Sequence, residues 1–236
     1  MFPLHDDNPT ARRPWITYLI VALCGLVWVL VQGAGLTESR MAASVCGLGA
    51  IPTDVLGSPG AGAGPCAGGG LGVPGLVTSM FLHGGWFHLI GNLWFLWIFG
   101  NNVEDSMGRG RFVVFYLLVG VLAGAAHVAA EPGSSIPMVG ASGAISGIMG
   151  AYLVLFPRAR VKTLLVLIVF FTVLEVPAFV YLLYWLGLQL LSSASGLDAG
   201  VAFWAHIGGF VAGAVLVPFF RRRPPPDRWV PVGTGV

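Results

Sequence analysis

What this sequence has least of is charge: 9% of its 236 residues are Asp, Glu, Lys or Arg, and the formal net charge is only +2. A soluble domain carries about a quarter charged residues, so a chain clothed mainly in water-facing side chains is excluded. No basic run is interleaved with aromatics, which removes nucleic acid as an expected partner. No Gly-rich loop leads into Lys-Ser/Thr and no His-Glu-x-x-His occurs, so neither a nucleotide nor a metal is expected and a cofactor-free chain is the inference.

What is present is apolar side chain, 56% of the total. Six runs approach the ~20 residues that cross a bilayer as helix. They lie at about Trp15–Leu36, Thr78–Phe99, Phe112–Ala130, Ser142–Phe156, Thr163–Leu186 and Val201–Phe220. The expected fold class is therefore an all-α polytopic membrane protein with six transmembrane helices. With a cytoplasmic N-terminus, Arg12, Arg13, Arg109, Arg111, Arg158, Arg160, Lys162, Arg221, Arg222, Arg223 and Arg228 fall inside, and only Arg40 falls outside. That asymmetry is the positive-inside pattern and predicts both termini in the cytoplasm. The chain then divides into a tail at 1–14, a membrane domain at 15–220 and a second tail at 221–236. His5, Asp6 and Asp7 read as part of a solvated tail, with a metal site the alternative.

The first outer loop, 37–77, includes "GSPGAGAGPCAGGG", too glycine-rich to be expected to pack a core of its own. Cys46 and Cys66 lie in it, on the oxidising side, where a disulfide and two free thiols both stay open. Cys24 reads as a packing residue in the first span.

Polar side chains inside apolar spans need a reason. "HGGWFHLIGN" holds His88 and Asn92, four apart and so on one helix face in the outer half of the second span. "AHIGGFVAG" places His206 in the outer half of the sixth span, beside Gly208, Gly209 and Gly213. "GASG" sets Ser142 at the outer end of the fourth, followed by Gly143, Gly147 and Gly150. Small residues on both the fourth and sixth spans allow close helix contact, which would bring Ser142 and His206 together. An imidazole within reach of a hydroxyl can take its proton as the serine attacks. The Ser142 backbone N–H, His88 and Asn92 are then candidates for stabilising an oxyanion. No carboxylate lies in the outer half of these three spans, so a dyad is expected rather than a triad. Interhelical hydrogen bonding is the plainer explanation of each polar residue taken alone.

In combination, "HGGWFHLIGN", "GASG", "AHIGGFVAG" and the turn "NNVEDSMGRGRF" resemble the rhomboid intramembrane serine proteases. The resemblance runs from Trp15 to Phe220 and implies a six-helix rhomboid-like bundle around a water-filled cavity open to the outside. It implies Ser142 as nucleophile, His206 as general base, and His88 and Asn92 as the oxyanion hole. It places His83 near the cavity mouth, gives Gly209 and Gly213 a helix-packing role, and makes Glu104 structural. It also implies cleavage of single-span transmembrane protein substrates, in a multi-pass protein of a bacterial plasma membrane. The other readings are a non-catalytic rhomboid-like binding protein for membrane clients, and a small transporter using His88 and His206 as proton carriers. Two features depart from the rest. Pro74 and Gly75 stand where many members of the family carry Trp-Arg. Glu175 and Pro177 fall within the expected fifth span, where a mid-membrane carboxyl would sit beside a kink, and Trp185 reads as an interfacial anchor.

Overall fold

The computed structural model describes residues 1–58, 66, 69–167, 170–195 and 201–222. The chain opens with strand β1, Phe2–Asp6, and enters helix α1 at Trp15–Leu30. Leu19, Leu23, Leu26 and Leu30 form one exposed stripe of α1, while Thr17, Ile20, Cys24 and Trp28 face inward. This spacing is that of one helical face, with the apolar stripe turned outward as lipid contact demands.

The loop at 37–77 carries regular structure among its described residues. It forms α2 at Glu38–Leu48, α3 at Pro52–Val55 and α4 at Gly75–Thr78. A Cys46–Cys66 disulfide, with Cα atoms 5.1 Å apart, ties α2 to the glycine-rich stretch. Ala50, Leu76 and Val128 make a small buried cluster beneath it. A β-carbon on Gly75 would lie 2.7 Å from the Gly49 carbonyl oxygen, so glycine permits the close pass here. Residues 59–65, 67 and 68 of the loop lie outside the described residues.

Helices α5 (Trp86–Met107), α6 (Arg109–Ala130) and α7 (Ser142–Leu155) follow. Glu104, 2% exposed near the end of α5, accepts the backbone N–H groups of Ile16 and Thr17 at 3.0 and 2.8 Å and the Thr17 hydroxyl at 2.9 Å. It thereby caps the first turn of α1, whose N–H groups have no partner within the helix.

The expected fifth span is displaced. Arg160–Leu167 (β2) and Phe170–Pro177 (β3) form an antiparallel hairpin, and helix α8 runs only from Ala178 to Ala194. Strand β1 adds to β2, giving the sheet order β1-β2-β3 among the described residues. The all-α expectation is thus corrected to a mostly helical fold with a small sheet. Glu175 is correspondingly not a mid-membrane carboxyl: it faces Lys162 across the ladder and pairs with Arg160 at 3.0 Å. Pro177 does not kink a helix but precedes its first turn, where its missing N–H costs nothing.

The N-terminal tail is likewise bound rather than solvated. Asp6 is buried and accepts the Tyr152 hydroxyl at 2.5 Å, and Asp7 accepts the Arg160 backbone N–H at 2.8 Å. Burial pushes the Asp6 carboxyl up to about 6. The last helix, α9, spans Phe203–Phe220. The expected C-terminal tail lies outside the described residues from Arg223 onward. By length and composition, α6 and α9 can each cross a membrane, and α1, α7 and α8 are shorter apolar helices.

Candidate active site

Glycine brings α7 and α9 into backbone contact. A β-carbon on Gly213 or Gly209 would collide with the carbonyl oxygens of Gly147 and Gly143, and one on Gly150 with that of Phe210. With no side chains between them, the two helices carry Ser142 and His206 to one depth. Ser142 Oγ and His206 Nε2 lie 2.8 Å apart, a hydrogen-bonded pair.

The turn before Ser142 is set by Gly140, whose φ of +126° lies outside the range other residues adopt comfortably. Its N–H donates to the Ser79 carbonyl at 2.9 Å, which fixes the entry to α7. The bare Cα of Gly140 also makes room for His88: an added β-carbon would stand 2.8 Å from His88 Nε2 and 3.5 Å from Ser142 Oγ. The His88 ring therefore reaches the neighbourhood of the serine hydroxyl. Its other nitrogen, Nδ1, accepts the Gly84 backbone N–H at 3.2 Å. In the neutral ring the remaining nitrogen, Nε2, then holds the proton and is available as a donor.

Asn92, one turn on, donates through Nδ2 to the His88 carbonyl at 3.0 Å and retains a second N–H. Ser142, His206, His88 and Asn92 all line one cavity of about 840 Å³, so the four residues singled out in the sequence share a single space. The backbone N–H of Ser142 belongs to the first turn of α7, where it has no helical partner and lies at the positive end of the helix dipole.

Two expectations change. His83 is fully buried behind His88, with its ring edge-on at a centroid separation of 5.4 Å, and does not line the cavity mouth. Its backbone is held from both sides by Gln32, which accepts its N–H and donates to its carbonyl, each at 2.8 Å. Trp185 is not an interfacial anchor: it lines the cavity, 5.8 Å from the His206 ring and stacked on Phe210 at 6.2 Å. One contact is absent from the sequence reading altogether. Gln189 of α8 places Oε1 2.8 Å from His206 Nδ1.

The rhomboid domain family model matches residues 72–223, a stretch holding all four of these residues. Over 141 residues the chain is 33% identical to Rhomboid protease GluP of Bacillus subtilis, covering 60% of this chain and 25% of that protein. It is 34% identical over 154 residues to RHOMBOID-like protein 6, mitochondrial, of Arabidopsis thaliana, covering 65% and 45%. It is 26% identical over 149 residues to the human presenilin-associated rhomboid-like protein, mitochondrial, covering 61% and 37%. The chain thus spans less than half the length of these relatives. With the domain matched over more than half of its residues, the chain belongs to the rhomboid family, whose members are integral membrane proteins.

Proposed function

We propose that this chain is an intramembrane serine endopeptidase that cleaves single-span transmembrane protein substrates with a Ser142–His206 dyad. The observation that carries the reading is the 2.8 Å approach of Ser142 Oγ to His206 Nε2 inside a cavity shared with His88 and Asn92. In this reading His206 takes the Ser142 proton as Oγ attacks the scissile carbonyl carbon. The resulting oxyanion faces the Ser142 backbone N–H, His88 Nε2–H and the free Asn92 N–H. His206 then gives its proton to the leaving amine, and water admitted by the cavity hydrolyses the acyl-enzyme by the same steps in reverse.

The membrane arrangement belongs to the same proposal. α1, α5, α6, α7, α8 and α9 supply six spans, with both termini in the cytoplasm of a bacterial cell and the cavity opening to the far side. The distribution of Lys and Arg supports this orientation. With 14 residues, α7 is only about 21 Å long, less than the ~30 Å hydrocarbon thickness. Ser142 at its start would therefore sit below the outer surface, where a cavity must bring it water.

Ser142→Ala is expected to abolish cleavage of a membrane-anchored reporter while leaving expression unchanged. A fluorophosphonate probe should label the wild type and not this variant. Persistent cleavage by Ser142→Ala would sink the mechanism, and full handling of a client by that variant would favour the non-catalytic binding protein instead.

A further inference from the structure

We propose that Gln189 is a positioning residue that fixes the tautomer of His206, an inference that rests on the proteolytic reading above. A neutral imidazole carries one ring proton, and His206 can act as a base toward Ser142 only if that proton is on Nδ1. With the proton on Nε2, the ring would donate to the serine oxygen and could not accept from it. Gln189 Oε1 accepts only, and it sits 2.8 Å from Nδ1. That contact holds the proton on Nδ1 and turns the Nε2 lone pair toward Ser142 Oγ, also at 2.8 Å.

The described residues lining the cavity include no Asp or Glu, so no carboxylate is present to do this. In a Ser-His-Asp arrangement the acid has two tasks: it sets the tautomer and it stabilises the imidazolium. A neutral amide performs the first and contributes little to the second. Trp185, one turn before Gln189 on the same face of α8, packs on the His206 ring and on Phe210. α8 thus holds a single imidazole twice, by its plane through Trp185 and by its proton through Gln189. An amide turned over would reverse the assignment, because its NH₂ would donate to Nδ1 and place the ring proton on Nε2.

The test uses the full chain in proteoliposomes with a membrane-anchored reporter, together with fluorophosphonate labelling and ¹⁵N NMR of histidine-labelled protein in micelles. Gln189→Met keeps the length of the side chain and removes the acceptor. It should lower kcat and the labelling rate about tenfold, with KM changed less than about twofold. Gln189→Glu should restore turnover and move the acidic limb of the kcat profile to higher pH, since a carboxylate favours the imidazolium. His88 and His127 are the other titratable groups interacting with His206 and are unchanged in every variant, so a limb shift confined to Gln189→Glu reports the new charge. A residue that merely packs α8 would not move it.

NMR should find the wild-type His206 proton on Nδ1, and a mixture of tautomers in Gln189→Met. A wild-type proton on Nε2 overturns the inference, as do unchanged kcat and labelling in Gln189→Met. The wild-type spectrum needs no turnover and no variant, so it decides the tautomer even if Gln189→Met unfolds. A wild type that neither cleaves nor labels overturns the proteolytic reading, and this inference with it.

Discussion

Substituting alanine for Gly213 measures how far catalysis depends on bare backbone between α7 and α9. The added β-carbon would run into the Gly147 carbonyl and lie 2.7 Å from Gly147 Cα, where ordinary contact needs 3.4–4 Å. Both obstacles are backbone, so no side chain can rotate aside, and the helices must part locally by about 1 Å. Ser142 and His206 ride on these two helices at 2.8 Å. A comparable displacement carries the pair beyond hydrogen-bonding range, roughly 3.5 Å. Misplacement of about 1 Å costs on the order of 100-fold in rate, so reporter cleavage and fluorophosphonate labelling should both fall by about that factor. Overpacking should also lower stability by about 1–3 kcal/mol, read as a drop in the thermal midpoint in detergent. Gly25 in α1 has nothing within 4 Å of an added β-carbon. Gly25→Ala should therefore leave cleavage intact and raise stability by about 0.5–1 kcal/mol. A Gly213→Ala protein that labels at the wild-type rate with an unchanged midpoint would refute the reasoning.

Three further outcomes are expected. The buried Asp6 carboxyl titrates near 6 in the fold against 3.8 when free, so the folded state holds more protons between these values. Stability should accordingly fall by up to about 3 kcal/mol as pH rises from 4 through 6 and then level off, and Asp6→Asn should flatten that slope in pH-dependent unfolding. Glu104→Ala removes the acceptor for two α1 backbone N–H groups and the Thr17 hydroxyl, and should cost about 3 kcal/mol in unfolding midpoints, with Glu104→Gln losing less. His88→Ala should lower kcat by about 100- to 1,000-fold with little change in KM, and a raised KM with kcat unchanged would place His88 in substrate binding instead.

The convergence of the four candidate residues on one cavity was readable because polar residues inside apolar runs are expensive and therefore stand out. Ser142, His206, His88 and Asn92 each occupy such a position, and the small residues flanking two of them announce close helix contact. The fifth helix was hidden by the opposite situation. "VKTLLVLIVFFTVLEV" is apolar enough to pass for a span. Its β-branched and aromatic content, with Pro177 closing it, was the available sign of strands. Ending that span at Leu186 put Gln189 in a loop, so the residue beside His206 Nδ1 went unnoticed. The strand at Phe2–Asp6 was illegible for a different reason. A short charged segment next to prolines looks solvated until a partner strand from residue 160 onward is known to lie beside it.

The placement of α8 makes it a lever. Its fully buried side chains, Ala178, Tyr181 and Leu182, all lie in its first turns, next to the strand that the β2 ladder anchors. That end is the fulcrum. At 1.5 Å per residue, Gln189 stands about 16 Å out along the arm. A tilt of only 10° would swing it by roughly 3 Å, as much as the whole length of its bond to His206. Any motion of α8 that widens the path to the cavity therefore also lets go of the histidine. In the proteolytic reading the protein would be open or armed, and the return stroke of one helix would convert the first condition into the second.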